Sequence, residues 1–166
     1  MGRYPVYPND IVQIIIGKIT GAASGIDPNA ELVFFSIRLP RVLCAFLVGL
    51  GLSVAGCAYQ GVFRNPMVSP DILGATAGTG FGAACAILWG FNAVGIQLVS
   101  FVVGLFAVGV SYLICVIVGK RANVLLTLIL AGMVVSALFQ AGISLIKYVA
   151  DPYTKLPEIT YWLMGS

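Results

Sequence analysis

The sequence predicts an all-α membrane protein, a polytopic bundle with about four transmembrane helices. Hydrophobic residues make up 60% of the chain and charged residues only 9%, whereas roughly a quarter of a typical soluble domain is charged. The apolar residues form long continuous runs instead of short alternating segments, which favours helices over a β-barrel. We therefore expect residues 1–166 to form one transmembrane domain.

The N-terminal region, residues 1–41, is more mixed in composition. Its isoleucine-rich stretch at 11–19 is too short to cross a membrane. We expect a short helix there, capped by Asp10, that lies at the membrane surface or packs on the bundle. Residues 21–29 predict a turn-rich connector.

The first predicted span covers residues 42–63, a run without any charged residue. At ~1.5 Å per residue, a helix of this length crosses a hydrocarbon core of ~30 Å. Pro40 stands in its first turn, where a helix tolerates proline. Pro66 ends the helix, because proline disfavours helical geometry at the preceding Asn65.

Two further spans are predicted between residues 72 and 118, where no charge appears. This run is too long for one span, and Gly90-Phe91-Asn92-Ala93 is its natural break. We place the spans at 72–89 and 94–118.

A fourth span is predicted at 124–146, after a short basic loop that contains Lys120 and Arg121. The tail that follows has two prolines and then an apolar stretch at 161–164, which predicts the start of another span. With four spans both termini lie on one side, and twice as many lysines and arginines fall on that side as on the other. A positive-inside count alone would place the termini in the cytoplasm.

Several functions are disfavoured by what the sequence contains. There is no histidine, so the commonest transition-metal ligand and general base is missing. The four cysteines lie singly in apolar runs, as buried small hydrophobic residues do. A net charge of +3 is too small to indicate a nucleic-acid partner. The glycine-rich stretch 78–82 lacks the Lys-Ser/Thr ending and the preceding strand of a phosphate loop. We expect no catalytic, metal or nucleotide site on this chain.

Three separated blocks of the sequence form a recognisable pattern. The first block runs from Arg38-Leu39-Pro40-Arg41 through Phe63-Arg64-Asn65-Pro66 to Leu73-Gly74. The second is Leu130-Ala131-Gly132, and the third is Tyr161-Trp162-Leu163-Met164-Gly165. In this order the blocks resemble the FecCD family, the permease subunits of ABC importers for iron-siderophores, haem and vitamin B12. The resemblance covers nearly the whole chain, which would be about half of a roughly ten-helix permease.

The resemblance implies a multi-pass protein of the plasma or inner membrane that forms the translocation pathway of an ATP-driven importer. Its cargo would be an iron complex (siderophore or haem) or cobalamin, and related systems carry oxyanions such as molybdate; the sequence leaves this choice open. The resemblance also implies that the termini lie outside the cell and Arg64, Lys120 and Arg121 in the cytoplasm. We follow this orientation against the charge count.

The partners follow from the same resemblance. A second permease copy would complete the channel as a homodimer, and a periplasmic or lipid-anchored solute-binding protein would deliver the cargo. ATP and Mg would bind to separate cytoplasmic ATP-binding subunits, so the permease itself would hold no cofactor and catalyse no reaction.

Arg38 and Arg41 are the candidate docking residues for the binding protein. Arginine binds carboxylates bidentately and stays charged. Spacing alone equally fits two arginines that anchor a helix end at lipid headgroups. In the family, the matching arginines pair with glutamates of the binding protein.

Asn65 and Met67 are the candidate cytoplasmic gate, since the resemblance assigns the gate partly to this turn. From the residues alone, a polar turn that satisfies the carbonyl groups of a helix end explains them as well.

Ser136, Gln140 and Ser144, with Gly132 before them, are candidates for the translocation pathway. Their spacing of four predicts that they share one side of the fourth span, and hydroxyl and amide groups there would bind a passing cargo weakly. Small and polar residues at this spacing also pack membrane helices together.

Gly74, Gly78 and Gly82 recur at every fourth position of the second span. This small-xxx-small pattern predicts close packing against a neighbouring helix.

Two other classes of protein compete with the importer permease. An ion- or proton-driven secondary transporter would place ionisable groups or broken helices at mid-membrane, and the predicted spans contain no ionisable group. A structural or assembly protein of the membrane would not need loops that fit a binding protein.

Overall fold

The computed structural model describes residues 8–20, 28–66, 68–119 and 124–165, and within these ranges every regular element is helical. The fold class therefore agrees with the prediction. A π-helical turn, Phe34–Arg38, leads into the third α-helix, and a 3-10 turn, Pro70–Leu73, precedes the fourth. The α-helices are α1 (Pro8–Thr20), α2 (Pro28–Val33), α3 (Leu39–Phe63), α4 (Ala75–Leu88), α5 (Ala93–Val118), α6 (Val124–Val149) and α7 (Lys155–Met164).

Three helical stretches in the described ranges are long and apolar enough to cross a membrane. They are the continuous run Asn29–Phe63 of 35 residues, and α5 and α6 with 26 residues each. A helix of 26 residues is ~39 Å long, at ~1.5 Å per residue, which exceeds the ~30 Å of a hydrocarbon core. These helices include the predicted spans at 42–63, 94–118 and 124–146.

The remaining apolar helix, α4, is shorter than the span predicted at 72–89. It has 14 residues, or ~21 Å of α-helix, because Ile72 and Leu73 belong to the 3-10 turn. Gly74, with φ of +77°, separates the turn from the helix, since left-handed backbone cannot continue a right-handed helix. The chain breaks between α4 and α5 at the predicted residues. The Asn92 side chain caps α5 by accepting a hydrogen bond from Gly95 N at 2.8 Å.

The described residues fall into two compact units, 1–54 and 55–166, with the boundary inside α3. In the first unit, a small core joins Ile14 of α1 to Ala30 and Phe34. The prediction that Asp10 caps α1 is wrong, because the helix begins at Pro8 and Asp10 lies in its first turn. Most of the predicted connector, and the basic loop of Lys120 and Arg121, lie outside the described residues.

Pro40 lies near the start of α3, but the helical path begins upstream of it. Leu39 N donates to Phe34 O across the wider ring of the π-helical turn. A proline removes one backbone donor and crowds the carbonyl group four residues before it. The wider turn just before Pro40 accommodates that disturbance, so the helix passes through the proline.

The second unit is built around α4, which packs against α5, α6 and α7. Its core joins Ala83, Ala84 and Ile87 of α4 to Ile96 of α5 and the fully buried Ile159 of α7. Alanine and glycine make up much of α4, and their small side chains let the neighbouring helices approach closely.

The apolar stretch at 161–164 forms the last turn of α7. The helix ends at Gly165, which has φ of +84° and donates from its N to Trp162 O at 3.1 Å. Trp162 and Leu163 pack against the core of the second unit. Tyr161 and Met164 remain exposed, so only half of this stretch packs on the second unit.

Candidate functional site

The segment that joins α3 to α4, residues 64–74, is the centre of the candidate site, and we call it the connecting segment. Met67, one of the two predicted gate residues, lies outside the described residues. The connecting segment begins and ends in left-handed backbone, at Arg64 (φ +49°) and Gly74 (φ +77°). A non-glycine residue in this conformation costs about 1–2 kcal/mol, so surrounding contacts must hold the turn in place.

The N-terminal part of the connecting segment is tied to the end of α3. Asn65 N donates to Gln60 O at 3.3 Å, and the Gln60 side chain donates from Nε2 to Pro66 O at 3.2 Å. Gln60 thus contacts the turn through both its backbone and its side chain. Asn65 and Pro66 are exposed, so this part of the segment presents a polar surface.

The C-terminal part contacts α5 and α6, and three of its residues, Val68, Leu73 and Gly74, are buried. Val68 and Leu73 are 4% and 8% exposed. Ser111 of α5 is fully buried, and its hydroxyl lies 2.9 Å from Leu73 O and 3.1 Å from Ala107 O, so its one hydrogen is shared between the two carbonyl groups, with the shorter contact to Leu73. Leu73 therefore receives a side-chain hydrogen bond from a residue 38 positions away.

Gly132 and Ser136 of α6 contact the same part of the connecting segment. A Cβ atom at Gly132 would overlap Ile72 O, and one at Gly74 would lie 3.0 Å from Ser136 Oγ. Only a residue without a side chain fits at position 132, because the obstacle is backbone. We call Ser111, Gly132 and Ser136 the seat of the connecting segment.

The predicted pathway residues differ in how deeply they are buried in α6. Gly132 is buried, Ser136 is half-buried, and Gln140 and Ser144 are exposed. Each step of four residues turns about 40° around an α-helix, so Ser144 lies about 120° away from Gly132. Ser144 Oγ donates to Gln140 O within the helix at 3.1 Å. Ser136, Gln140 and Ser144 thus lie within about 80° of one another around the helix, and their role in a translocation pathway stays a prediction.

Gly78 and Gly82 lie where α4 crosses α5. A Cβ at Gly78 would be 2.5 Å from Ala107 Cβ, and one at Gly82 would be 2.8 Å from Val103 Cβ. From the other side, a Cβ at Gly104 would overlap Thr79 Oγ1. Gly74, the third glycine of the predicted pattern, contacts α6 instead.

Two adjoining cavities of about 320 and 340 Å³ share Ala75, Thr79 and Trp162 in their linings. Ser100, which is 2% exposed, lines one of them. Its hydroxyl has no hydrogen-bond partner within the described part of the chain. Thr79 Oγ1 donates to Ala75 O at 2.8 Å within its own helix.

Arg38 and Arg41 belong to the first unit. Arg38 is the last residue of the π-helical turn and is half-exposed, whereas Arg41 is fully exposed near the start of α3. A spacing of three residues makes their side chains neighbours on a helix surface.

Ser111 is the residue that the sequence analysis missed. A signal for it exists in the spacing of the small residues of α5, since the buried positions Ser100, Gly104, Ala107, Ser111 and Cys115 recur every three to four residues. That spacing indicates one packed face of α5. It does not reveal that the partner of Ser111 is a backbone carbonyl of the connecting segment.

The comparison with known proteins concerns the whole length of this chain. The FecCD transport family matches residues 1–166. The molybdate import system permease protein MolB of Haemophilus influenzae is 43% identical over 166 residues, which are 100% of this chain and 48% of that protein. The vitamin B12 import system permease protein BtuC of Escherichia coli is 33% identical over 142 residues, which are 84% of this chain and 42% of that protein.

A solved structure is similar as well. Described as an inward-facing conformation of a metal-chelate type ABC transporter, it is 38% identical and matches with a TM-score of 0.73 over 96% of this chain and 54% of its own. The chain thus spans about half the length of the curated relatives it matches.

Proposed function

The chain belongs to the FecCD transport family, and from that premise we propose that it forms part of the membrane-spanning pathway of an ATP-driven importer. The match over residues 1–166 is the observation that carries this proposal. Three long apolar helices support the placement in a cell membrane. The long helices α5 and α6 carry hydroxyl and amide groups, and their one charged residue is Lys147 in the last turn of α6, which suits a path that releases its cargo.

The connecting segment is the proposed gate. Its polar turn, with Asn65 and Pro66, is exposed, while its C-terminal half is anchored on two helices. Because α5 and α6 hold one half of the segment and the other half is exposed, the segment can block the translocation pathway without the movement of a whole helix. The gate would open when the seat residues of α5 and α6 move relative to one another.

Energy and cargo would come from partners. ATP and Mg would bind to cytoplasmic subunits, and a second permease copy would complete the channel. A solute-binding protein would dock at Arg38 and Arg41 through carboxylate groups, because a guanidinium group accepts such partners bidentately.

For the cargo we favour an oxyanion such as molybdate. The chain is more similar to the molybdate permease than to the vitamin B12 permease, and over more of its length. A metal chelate is the second candidate, favoured by the structural likeness to a metal-chelate type transporter.

The test is uptake by the complete permease, reconstituted in proteoliposomes with its own ATPase and binding protein. We expect ATP-dependent accumulation of molybdate, with cobalamin and a ferric siderophore as competing cargoes in parallel assays. If the permease imports cobalamin or the siderophore but not molybdate, the cargo is a metal chelate and not an oxyanion. Uptake without ATP that stops when an ionophore collapses the ion gradient would contradict the importer and indicate a secondary transporter.

A further inference from the structure

The seat of the connecting segment combines one hydrogen bond with two close backbone contacts. Ser111 Oγ reaches Leu73 O at 2.9 Å, Ile72 O occupies the space that a side chain at 132 would take, and Gly74 lies against Ser136. These contacts come from two different helices, α5 and α6. A change in the packing of α5 against α6 would therefore move the donor of the hydrogen bond relative to the glycine contact.

Ser111 is the member of this seat that donates a hydrogen bond to the connecting segment. A carbonyl group in an apolar environment that loses its donor carries a desolvation cost, so the seated state weakens when the hydroxyl is removed. The left-handed residues at both ends of the segment, Arg64 and Gly74, mark the places where its backbone leaves the adjoining helices.

We propose that Ser111 is a positioning residue that keeps the connecting segment seated, and that the seated segment keeps the pathway closed at rest. Ser111 acts through Leu73 and does not touch the cargo. The second half of this proposal rests on the proposed function, whereas the first half concerns the fold alone and is tested separately.

Val68 offers a probe for movement of the connecting segment, because it is one of its buried residues. It is 4% exposed, and a cysteine there fills the site as a small apolar residue. In the complete permease, with Cys44, Cys57, Cys85 and Cys115 replaced by alanine, Val68→Cys reacts with a water-soluble maleimide only when the segment leaves its seat. We expect Ser111→Ala to raise the rate of labelling about tenfold, as the loss of one buried hydrogen bond predicts.

Ser100→Ala is the matched control. Ser100 lies on the same helix, is almost as buried as Ser111, and has no partner in the described structure, so its removal should leave the labelling rate within about twofold of the parent. Gly132→Ala disturbs the seat by a different route, by displacing Ile72 O, and should also raise labelling. Equal rates in the parent and in both seat variants would overturn the proposal.

Local opening is distinguished from general loosening by a second cysteine. Cys115 is buried on α5, and a permease that retains only this cysteine should label no faster after Ser111→Ala. Parallel acceleration at Cys115 would mean general destabilisation and would overturn the positioning role.

The gate is tested by leakage. In proteoliposomes loaded with molybdate and without ATP, the Ser111→Ala permease should release its contents several times faster than the Ser100→Ala permease. If Val68→Cys is labelled faster but leakage is unchanged, the segment does not close the pathway, while the role of Ser111 in positioning the segment is retained. If the complete permease fails to import any cargo with ATP, the proposed function is lost, while the labelling result still decides whether Ser111 holds the segment.

Discussion

Gly132 lies directly beneath the backbone carbonyl of Ile72, at a distance where even one methyl group would overlap the oxygen. The contact joins α6 to the 3-10 turn of the connecting segment. It is backbone against backbone, so no side-chain rotation can relieve an added atom. A single glycine therefore fixes how closely the segment approaches α6.

Replacing Gly132 with alanine should destabilise the protein by about 1–3 kcal/mol, the usual cost of overpacking. The measurement is the Tm of the purified permease in detergent. Gly109→Ala is the control, because Gly109 is an exposed glycine within α5 with open space around its Cβ position. This control should gain up to about 1 kcal/mol from the better helix propensity of alanine. If both variants lower Tm alike, Gly132 has no special role.

The contact between Gly78 and Ala107 predicts a coupled pair. Gly78→Ala should destabilise the α4–α5 crossing, because its new Cβ would be 2.5 Å from Ala107 Cβ. Ala107→Gly removes the obstructing methyl group, so the double variant should recover part of the loss. A double-mutant cycle on the free energy of unfolding should give a coupling of about 1–3 kcal/mol; additive effects would show that the helices move apart instead.

Ser100 and Ser111 should respond in opposite directions to the same substitution. Ser111→Ala removes a donor from Leu73 O and should cost about 1–3 kcal/mol. Ser100→Ala removes a buried hydroxyl without a partner in the described structure and should be neutral or stabilising. Chemical unfolding of each variant measures the difference. A larger loss from Ser100→Ala would mean that its hydroxyl binds a group contributed by another part of the assembly.

The turn before α7 should respond to acid. Thr154 donates from its hydroxyl and from its backbone N to Asp151 Oδ2, at 2.5 and 2.8 Å. Both hydrogen bonds favour the carboxylate, the side-chain bond most, and lower the pKa of Asp151 below its ordinary value.

A lowered pKa contributes stability that is present above the ordinary aspartate pKa of about 4 and is lost as the pH falls through the lower value in the folded protein. The Tm difference between the parent and Asp151→Asn should therefore be constant near neutral pH and shrink in strong acid. Thr154→Val should raise the pKa of Asp151 and move this change to higher pH. The same profile in Thr154→Val and the parent would contradict the assignment.

Charge reversal should abolish docking of the binding protein. Arg38→Glu with Arg41→Glu would place carboxylates against the carboxylates expected on the partner, and like charges across an interface suppress binding. Surface plasmon resonance on the complete permease measures this loss, which should be at least about 100-fold for two reversed ion pairs. Lys147→Glu, a reversal at another basic residue, is the control. An unchanged affinity in the double variant would leave the arginines as lipid anchors.

The helical class and most helix boundaries follow from the sequence alone, because they depend on local properties. Long uncharged runs can satisfy their backbone groups in lipid only as helices, and the break at Gly90 to Asn92 follows from glycine and from an asparagine cap. One local signal was misleading, since Ile72 and Leu73 belong to a 3-10 turn and not to the helix predicted there.

Which faces of the helices meet depends on the folded structure. A helix that is apolar all round has no polar face to show its orientation, so the spacing of Ser136, Gln140 and Ser144 does not predict that Ser136 is half-buried beside Gly74 while Gln140 and Ser144 are exposed. The partner of Ser111 is a backbone carbonyl 38 residues away. Every residue has such a carbonyl group, so the residue types do not indicate which one a side chain will contact. Contacts of that kind arise only when the chain has folded back on itself.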